Sequence, residues 1–288
     1  MENKIKRIAA VHDMSGFGRC ALTVIIPALS AMGHQVVPLP TALLSTHTGG
    51  FEKPYFLDLT DTMTPIIDHW DSLGITFDAI YSGFLGNAAQ AEVVRDIIAR
   101  FSGEHNIIMV DPVMGDDGEL YSTYTGELVD AIRSLCSSAD IITPNITEAF
   151  FLLERPYIDT LALPKNEARA LVNGLLFELS KLGAKKIALT GVHIEGEGVV
   201  TAGLDVALGE PFFCTQPRIE RNYPGTGDLF SSVLLGKLLS GMDFHLACEF
   251  ASKFIHDVIE YSVEFDTPVR EGVALEGCLD VIIKEKNK

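Results

Sequence analysis

The sequence is short of the features that usually stabilise secreted proteins or anchor membrane proteins. Its 288 residues contain five cysteines, Cys20, Cys136, Cys214, Cys248 and Cys278, with no Cys-x-x-Cys pair. An odd number of scattered cysteines argues against a disulfide framework and predicts a reducing compartment. No apolar run approaches the roughly 20 residues needed to cross a bilayer, and the apolar stretch near the N-terminus is too short for a signal peptide. We therefore expect a soluble, cytoplasmic protein.

Positive charge is also scarce. Lys and Arg number 22 against 39 Asp and Glu, so the formal net charge is -17 at pH 7. Such a chain repels phosphate backbones and anionic lipid, and we expect neither nucleic acid nor a membrane surface as a partner. An anionic ligand would have to be held by glycine loops, helix N-termini and metal ions against this overall field.

Several common catalytic motifs are missing, and one is incomplete. The Walker-type phosphate loop, H-E-x-x-H and G-x-S-x-G are absent, which removes the commonest NTPase, zinc-protease and serine-hydrolase interpretations. Gly16-x-Gly18-x-x-Ala21 follows an apolar run, as a dinucleotide fingerprint would. That fingerprint needs a carboxylate about 20 residues later to hold the ribose. Residues 36–46, VVPLPTALLST, contain none, so the sequence argues against an NAD site.

Short apolar runs alternate with longer amphipathic stretches along most of the chain. This alternation predicts an α/β fold with a mostly parallel central sheet and helices on both faces. The predicted strands are Arg7–Val11, Gln35–Leu39, Ala79–Ser82, Ile107–Val110, Ile141–Thr143 and Lys186–Thr190, with two more in a hairpin-like order at 197–214. The predicted helices lie near 19–32, 61–73, 88–101, 125–136, 145–153, 166–182, 228–240, 243–262 and 275–286. No linker divides the chain, so we expect a single domain over residues 1–288.

The segment YPGTGD, residues 223–228, is the strongest candidate for a site. Gly225, Thr226, Gly227 and Asp228 stand directly before an apolar helical pattern. The first N–H groups of a helix have no partners of their own, and the helix dipole adds positive charge there, so the segment can form an anion hole. A carboxylate in the same turn is placed to take a proton from a hydroxyl that attacks a phosphoryl group. The alternative is that Thr226 or Asp228 merely caps the helix.

Five short motifs follow predicted strands or precede this helix in a fixed order. They are STHTGG (45–50), SGFLG (82–86), DPVMGD (111–116), TPNITE (143–148) and YPGTGD (223–228). In these motifs the chain resembles the ribokinase superfamily and, within it, the pyridoxal kinases, over nearly its whole length. The resemblance implies a ribokinase-like three-layer sandwich. It also implies ATP-dependent phosphorylation of the 5′-hydroxymethyl group of pyridoxal, pyridoxamine and pyridoxine, in the salvage of pyridoxal 5′-phosphate.

The resemblance also assigns residues to the alcohol pocket. Asp228 would be the catalytic base, and Gly225, Thr226 and Gly227 would supply the anion hole. Ser15 and Thr48 would bind the substituents of the pyridine ring, and His47 would line the pocket. Phe84 stands where many pyridoxal kinases have Tyr, so a ring could still pack against the pyridine, but a hydroxyl contact is lost.

At the nucleotide end, the resemblance implies that Thr143, Asn145 and Thr190 contact ATP. Asp111 and Glu148 would lie near the triphosphate and position Mg²⁺, partly through water, which suits a cation that takes few protein carboxylates. A monovalent cation is a further candidate cofactor. Asn145-x-x-Glu148 also matches a capping box, so Glu148 could instead serve its helix alone.

Two alternatives remain open at this point. A kinase of hydroxymethylpyrimidine or of another small alcohol would share these motifs, although hydroxymethylpyrimidine kinases typically place Cys where this chain has Asp228. A non-catalytic protein that binds pyridoxal phosphate would share the pocket. Two further expectations concern structure. Cys20 is interpreted as a small core residue. A homodimer is expected by resemblance only.

Overall fold

The structure is a computed structural model that describes residues 5–284. Its strands are β1 (Arg7–Phe17), β2 (Gln35–Thr46), β3 (Phe56–Asp58), β4 (Ala79–Ser82), β5 (Ile107–Val110), β6 (Gly115–Asp116), β7 (Glu119–Leu120), β8 (Ile141–Ile142), β9 (Lys186–Ile194), β10 (Gly198–Asp205) and β11 (Pro211–Gln216). Its helices are α1 (Leu22–Ala31), α2 (Thr60–Ser72), α3 (Ala88–Phe101), α4 (Gly126–Cys136), α5 (Ile146–Leu152), α6 (Lys165–Ser180), α7 (Thr226–Leu239), α8 (Phe244–Glu264) and α9 (Leu279–Lys284).

The large sheet has the strand order β11-β10-β9-β8-β5-β4-β1-β2-β3. The six strands from β9 to β2 in this order run parallel, whereas β10, β11 and β3 are antiparallel to their neighbours. The chain moves from β1 outward to β2 and then returns to β4 on the other side of β1. The order therefore reverses between β1 and β4, and ligands of open α/β sheets bind beyond the carboxyl ends of strands at such a point.

Helices cover both faces of the sheet because the buried strands are apolar on both sides. In β1, Ile8 and Ala10 pack with α1, α7 and α8, whereas Ala9 and Val11 pack with α2 to α6. The three-layer arrangement predicted from the alternating pattern is confirmed. Within residues 5–284 we find no helix that is both long and apolar enough to span a membrane.

Several element boundaries differ from the sequence prediction. β1 continues six residues past Val11, and β2 continues seven past Leu39, because the two strands pair with each other as far as Phe17 and Thr46. Polar residues, glycine and two prolines hid this extension from a periodicity argument. The two-residue strands β6 and β7 and the short β3 were also missed.

The predicted terminal helix at 275–286 is wrong in its first part. Leu275–Gly277 form a single 3₁₀ turn, and α9 begins only at Leu279. Residues 285 and 286 of that prediction lie outside the described residues.

Candidate active site

The candidate site lies at the carboxyl ends of the parallel strands, beside the N-terminus of α7. Asp13 and Ser15 come from β1, Asp111 follows β5, Thr143 follows β8, and Asp228 lies in the first turn of α7. The fold therefore brings most of the residues predicted from separate motifs to one edge of the sheet, as parallel pairing requires.

The turn into α7 contains a glycine, Gly225, that no other residue could replace without a movement of the neighbouring backbone. Gly225 is the N-cap of α7 with φ 81°, and a Cβ at this position would lie 2.1 Å from the carbonyl oxygen of Arg19. A Cβ on Gly227 would meet open space. No side chain caps the first turn of α7, so its first N–H groups have no side-chain acceptor and can receive an anion.

Asp228 does not cap its helix, and the capping alternative is wrong for this residue. Its Oδ2 accepts hydrogen bonds from the Ala21 N–H at 2.9 Å and from the Cys20 Sγ–H at 3.4 Å. Its side chain is 12% exposed. Burial raises the pKa of Asp228, while the hydrogen bonds from Ala21 and Cys20 oppose that rise. A higher pKa makes this carboxylate a better proton acceptor near neutral pH.

The loop before α1, which contains Cys20 and Ala21, contacts the carboxylate of Asp228. Ala21 adopts φ 50° and ψ -132°, a conformation that favours glycine, and its N–H points at Asp228. The sulfur of Cys20 lies beside the same carboxylate, so the interpretation of Cys20 as a core residue is wrong. The Gly16–Ala21 turn thus holds the candidate base, which agrees with the argument against an NAD site.

Two buried polar residues at the end of the apolar part of β1, His12 and Asp13, were not assigned a role from the sequence. Asp13 accepts a hydrogen bond from Ser15 Oγ at 2.8 Å, and both residues are buried. Burial raises the pKa of Asp13 to about 7, with a smaller contribution from the charge of Asp228. His12 is completely buried, and its Nδ1 lies 3.9 Å from Asp228 Oδ1. The available signal was a pair of ionisable residues directly after the strand run Arg7–Val11.

The residues predicted to line the vitamin pocket differ in their contacts. His47 is buried, its Nε2 lies 2.8 Å from the carbonyl oxygen of Arg270, and its Nδ1 accepts the N–H of Gly49. Thr48 is exposed. Phe84 is half-buried and packs edge-on against Tyr124, with ring centroids 6.0 Å apart. His47 is thus fixed by the backbone, whereas Thr48 presents its side chain to solvent.

Asp111, which follows β5, contacts α7 at Ser231, one turn beyond Asp228. Ser231 Oγ is 3.2 Å from Asp111 Oδ2 and 2.9 Å from Thr143 Oγ1. Because Asp228 and Ser231 are three residues apart on one helix face, α7 connects the two ends of the site. Burial raises the pKa of Asp111 to about 8, and the charge of Asp228 adds to the rise.

Asn145 and Glu148 form a reciprocal capping box at the start of α5. Glu148 N–H donates to Asn145 Oδ1 at 2.9 Å, and Asn145 N–H donates to Glu148 Oε2 at 2.7 Å. The second carboxylate oxygen of Glu148 accepts the N–H of Met114 at 3.1 Å. Asn145 also donates to the Gly115 carbonyl oxygen at 2.8 Å. The predicted capping box is therefore present, although Glu148 also binds Met114 outside its own helix, and Thr190 lies beside the pair in a bridge with Asn145.

The residues present suit a metal ion that is shared with a ligand. Across residues 5–284, no group of three His, Cys, Asp or Glu side chains could hold a metal ion by itself. Mg²⁺ commonly takes one or two carboxylates together with phosphate oxygens and water. Asp111, whose buried carboxyl carries a raised pKa, fits that role because a cation would stabilise its ionised form.

Comparisons with known proteins show which family the chain resembles. Residues 8–271 match the family of phosphomethylpyrimidine kinases. A candidate phosphomethylpyrimidine kinase from Bacteroides thetaiotaomicron is 42% identical in one crystal form, with a TM-score of 0.90 and coverage of 97% of this chain and 94% of its own. A second form of it, described with pyridoxal, is 41% identical, with a TM-score of 0.90 and coverage of 97% and 96%.

Two further relatives are named as pyridoxal kinases. The crystal structure of pyridoxal kinase from Lactobacillus plantarum is 30% identical, has a TM-score of 0.89 and covers 99% of both chains. A pyridoxal kinase from Pseudomonas aeruginosa is 26% identical over 261 residues, which cover 88% of this chain and 87% of the relative.

Proposed function

Because the chain belongs to the phosphomethylpyrimidine kinase family, we propose that it transfers the γ-phosphate of ATP to the 5′-hydroxymethyl group of pyridoxal, pyridoxamine and pyridoxine. The observation that carries the proposal is the placement of Asp228. Its carboxylate is held from outside its own helix, beside first-turn N–H groups that can receive a phosphoryl anion. The 41% identical relative described with pyridoxal supports the choice of vitamin.

In this reaction Asp228 accepts the proton of the alcohol as its oxygen attacks the γ-phosphorus. The N–H groups of Thr226, Gly227 and Asp228 take up the negative charge on the phosphoryl oxygens. Ser15 with Asp13, His47, Thr48 and Phe84 surround the ring of the vitamin. The protein therefore supplies a base, an anion hole and orientation, which are the contributions that phosphoryl transfer needs.

At the other end of the site, Thr143, Asn145 and Thr190 contact the nucleotide, and Asp111 holds Mg²⁺ with the phosphates. Bound magnesium neutralises charge on the β- and γ-phosphates. Glu148 would assist the metal through water, since each of its carboxylate oxygens already accepts one backbone N–H group. A monovalent cation would suit the remaining negative charge of the site.

A kinase of hydroxymethylpyrimidine is the second candidate, and the description of the matching family favours it. The presence of Asp at position 228 favours the vitamin B6 assignment, since the resemblance associates Cys at this position with the pyrimidine kinases.

Phosphate transfer from ATP to pyridoxal, pyridoxamine, pyridoxine and hydroxymethylpyrimidine, measured side by side, tests the assignment. The proposal predicts the highest kcat/KM on a B6 vitamer. Turnover of the pyrimidine without turnover of any vitamer would replace it. Binding of pyridoxal phosphate without ATP turnover would indicate the non-catalytic carrier.

We place the enzyme in the cytoplasm as a homodimer. All five cysteines are free thiols, which suits a reducing compartment. Phe17, Leu43, Tyr55, Phe56 and Leu57 are large apolar side chains exposed near the β3 edge of the sheet, and an exposed apolar edge is suited to a second copy. Light scattering behind size-exclusion chromatography would decide this, because the proposal requires twice the chain mass of 31.3 kDa.

A further inference from the structure

His12 is an unexplained buried polar residue beside the candidate base. Its side chain has no exposed surface, and within residues 5–284 neither ring nitrogen makes a hydrogen bond of satisfactory geometry, although the Tyr81 backbone interacts with the ring. A buried polar group without a well-formed hydrogen bond destabilises the folded state. Such a group in a folded protein calls for a compensating role.

Packing fixes the position of the imidazole ring but does not require its nitrogens. The ring lies edge-on against Tyr81, with centroids 4.3 Å apart. It also fills the space above Gly83, where a Cβ would lie 2.3 Å from His12 Cε1. A phenyl ring would make comparable apolar contacts without the polar cost, so packing alone does not explain a histidine.

The imidazole ring also faces the carboxylate of Asp228. Nδ1 of His12 lies 3.9 Å from Asp228 Oδ1, while Oδ2 is already bound to Ala21 and Cys20. Burial lowers the pKa of His12 to about 3, against a smaller opposing effect of the Tyr81 backbone. The ring is therefore neutral at ordinary pH and carries one N–H. A hydrogen on Nδ1 attracts the carboxylate, whereas a lone pair there would repel it.

We propose that His12 is a positioning residue whose Nδ1–H donates to Asp228 Oδ1 when the alcohol is bound. Separations of this kind in an unliganded site commonly shorten in the reacting complex. The hydrogen bond would keep Asp228 ionised and aimed at the alcohol, while His12 itself exchanges no proton. This inference rests on the proposed kinase activity.

The pH dependence of kcat has a defined sign under this proposal. A donor to the ionised form lowers the pKa of a carboxyl group, and Asp228 must be ionised to accept the proton. Loss of the His12 N–H therefore moves the acidic limb of the kcat profile to higher pH. The other ionisable groups around Asp228 remain in place in such a variant: Asp13, Cys20, His47, Tyr81, Asp111 and Tyr121.

Three variants test the role. His12→Phe keeps a ring without nitrogens, His12→Asn places an amide near the position of Nδ1, and His12→Gln places one near Nε2. We expect His12→Phe to lower kcat about tenfold or more with little change in KM, since misplacement of a reacting group can cost up to about 10²-fold. Its acidic limb should move to higher pH. His12→Asn should recover most of kcat and the wild-type limb, and His12→Gln should not.

Two results would overturn the proposal. In the first, His12→Phe keeps the wild-type kcat and pH profile. In the second, His12→Gln recovers activity as well as His12→Asn does. If His12→Phe does not fold, the comparison of the two amide variants decides alone.

A spectroscopic measurement separates this inference from the proposed function. Nitrogen-15 spectra of the histidine-labelled enzyme, with the His12 signals assigned by their loss in His12→Asn, report which nitrogen carries the proton. The proposal requires Nδ1–H, and an Nε2–H ring contradicts it whatever alcohol the enzyme uses. Absence of phosphate transfer by the wild-type enzyme would instead contradict the proposed function.

Discussion

The two ends of the site are held together in different ways. At the nucleotide end, Asn145 and Glu148 are three residues apart, and the side chain of each accepts the backbone N–H of the other at the start of one short helix. At the alcohol end, Asp228 is held by Ala21 and Cys20, more than 200 residues away in the chain. One end is therefore a local motif, and the other exists only when β1 and α7 have come together.

This difference predicts which carboxylates contribute mainly to the stability of the fold and which contribute to catalysis. A carboxylate whose oxygens both accept backbone N–H groups, as in Glu148, mainly stabilises the fold. Oδ1 of Asp228 accepts no backbone N–H, so it retains a lone pair for a proton from substrate even when it also accepts the His12 N–H. We therefore expect substitutions at the alcohol end to reduce kcat and substitutions at the nucleotide end to reduce stability first.

The largest effect is expected from Asp228→Asn. An amide cannot accept the alcohol proton, so kcat should fall about 10²–10⁴-fold, with ATP binding retained. Steady-state kinetics and nucleotide titration measure the two quantities. Asp243→Asn is the matched control, because Asp243 is an exposed N-cap of α8 and Asn caps a helix equally well. Full activity of Asp228→Asn would remove the proposed base.

Next in size is the effect of Gly225→Ala, compared with Gly227→Ala. A methyl group at position 225 would collide with the carbonyl oxygen of Arg19 and would meet an unfavourable φ of 81°. We expect a lower Tm and a kcat reduced about 10–100-fold as the turn moves. Gly227→Ala should leave Tm near wild type, since its Cβ meets open space, and should affect only kcat. Equal Tm values for the two variants would contradict this account of the turn.

A smaller effect concerns how stability depends on pH. The pKa of Asp13 is raised from 3.8 to about 7 in the folded protein, so the folded state binds a proton more tightly than the unfolded chain. Stability from this group is complete below about pH 4 and is lost as pH rises through about 7, a change on the order of 4 kcal/mol.

Denaturant unfolding between pH 4 and pH 8 measures this loss. Asp13→Asn should flatten the decline and be more stable than wild type at pH 8, whereas the exposed control Asp243→Asn should keep the wild-type slope. An unchanged slope in Asp13→Asn would show that Asp13 is already ionised in the folded protein at low pH.

The smallest kinetic effect is expected from Glu148→Gln. The amide loses one acceptor oxygen, so the capping box should weaken by about 1–2 kcal/mol, while kcat at saturating ATP falls less than tenfold. Glu127→Gln, an exposed residue in the first turn of α4, is the control. A loss of kcat as large as that of Asp228→Asn would make Glu148 a direct metal ligand and reverse the comparison.

The same difference explains how much could be predicted from sequence. The layers of the fold and the capping box follow from local patterns, such as the continuous apolar run at residues 8–11 of β1, which is buried on both faces, and the spacing of Asn145 and Glu148. The positions of His12, Asp13 and Cys20 at the alcohol end could not be predicted in this way. Each acquires its neighbour only through tertiary contacts, and an ionisable residue or thiol beside an apolar run looks the same in a core as in a site.

The length of β1 and β2 was missed for a similar reason. Ser15 lies inside β1, not at its end, because the segment pairs with Leu44 of β2. A strand that extends beyond the apolar core has no alternating pattern to mark it, and its partner strand contains Pro38 and Pro40.

The most direct test is a crystal structure of the enzyme with a non-hydrolysable ATP analogue, Mg²⁺ and pyridoxal. We predict that a carboxylate oxygen of Asp228 lies within about 3.2 Å of the 5′-hydroxyl oxygen, and that the γ-phosphate lies against the N–H groups of Thr226 and Gly227. A carboxylate turned away from the hydroxyl, or a γ-phosphate bound elsewhere, would contradict the assignment of Asp228 as the base.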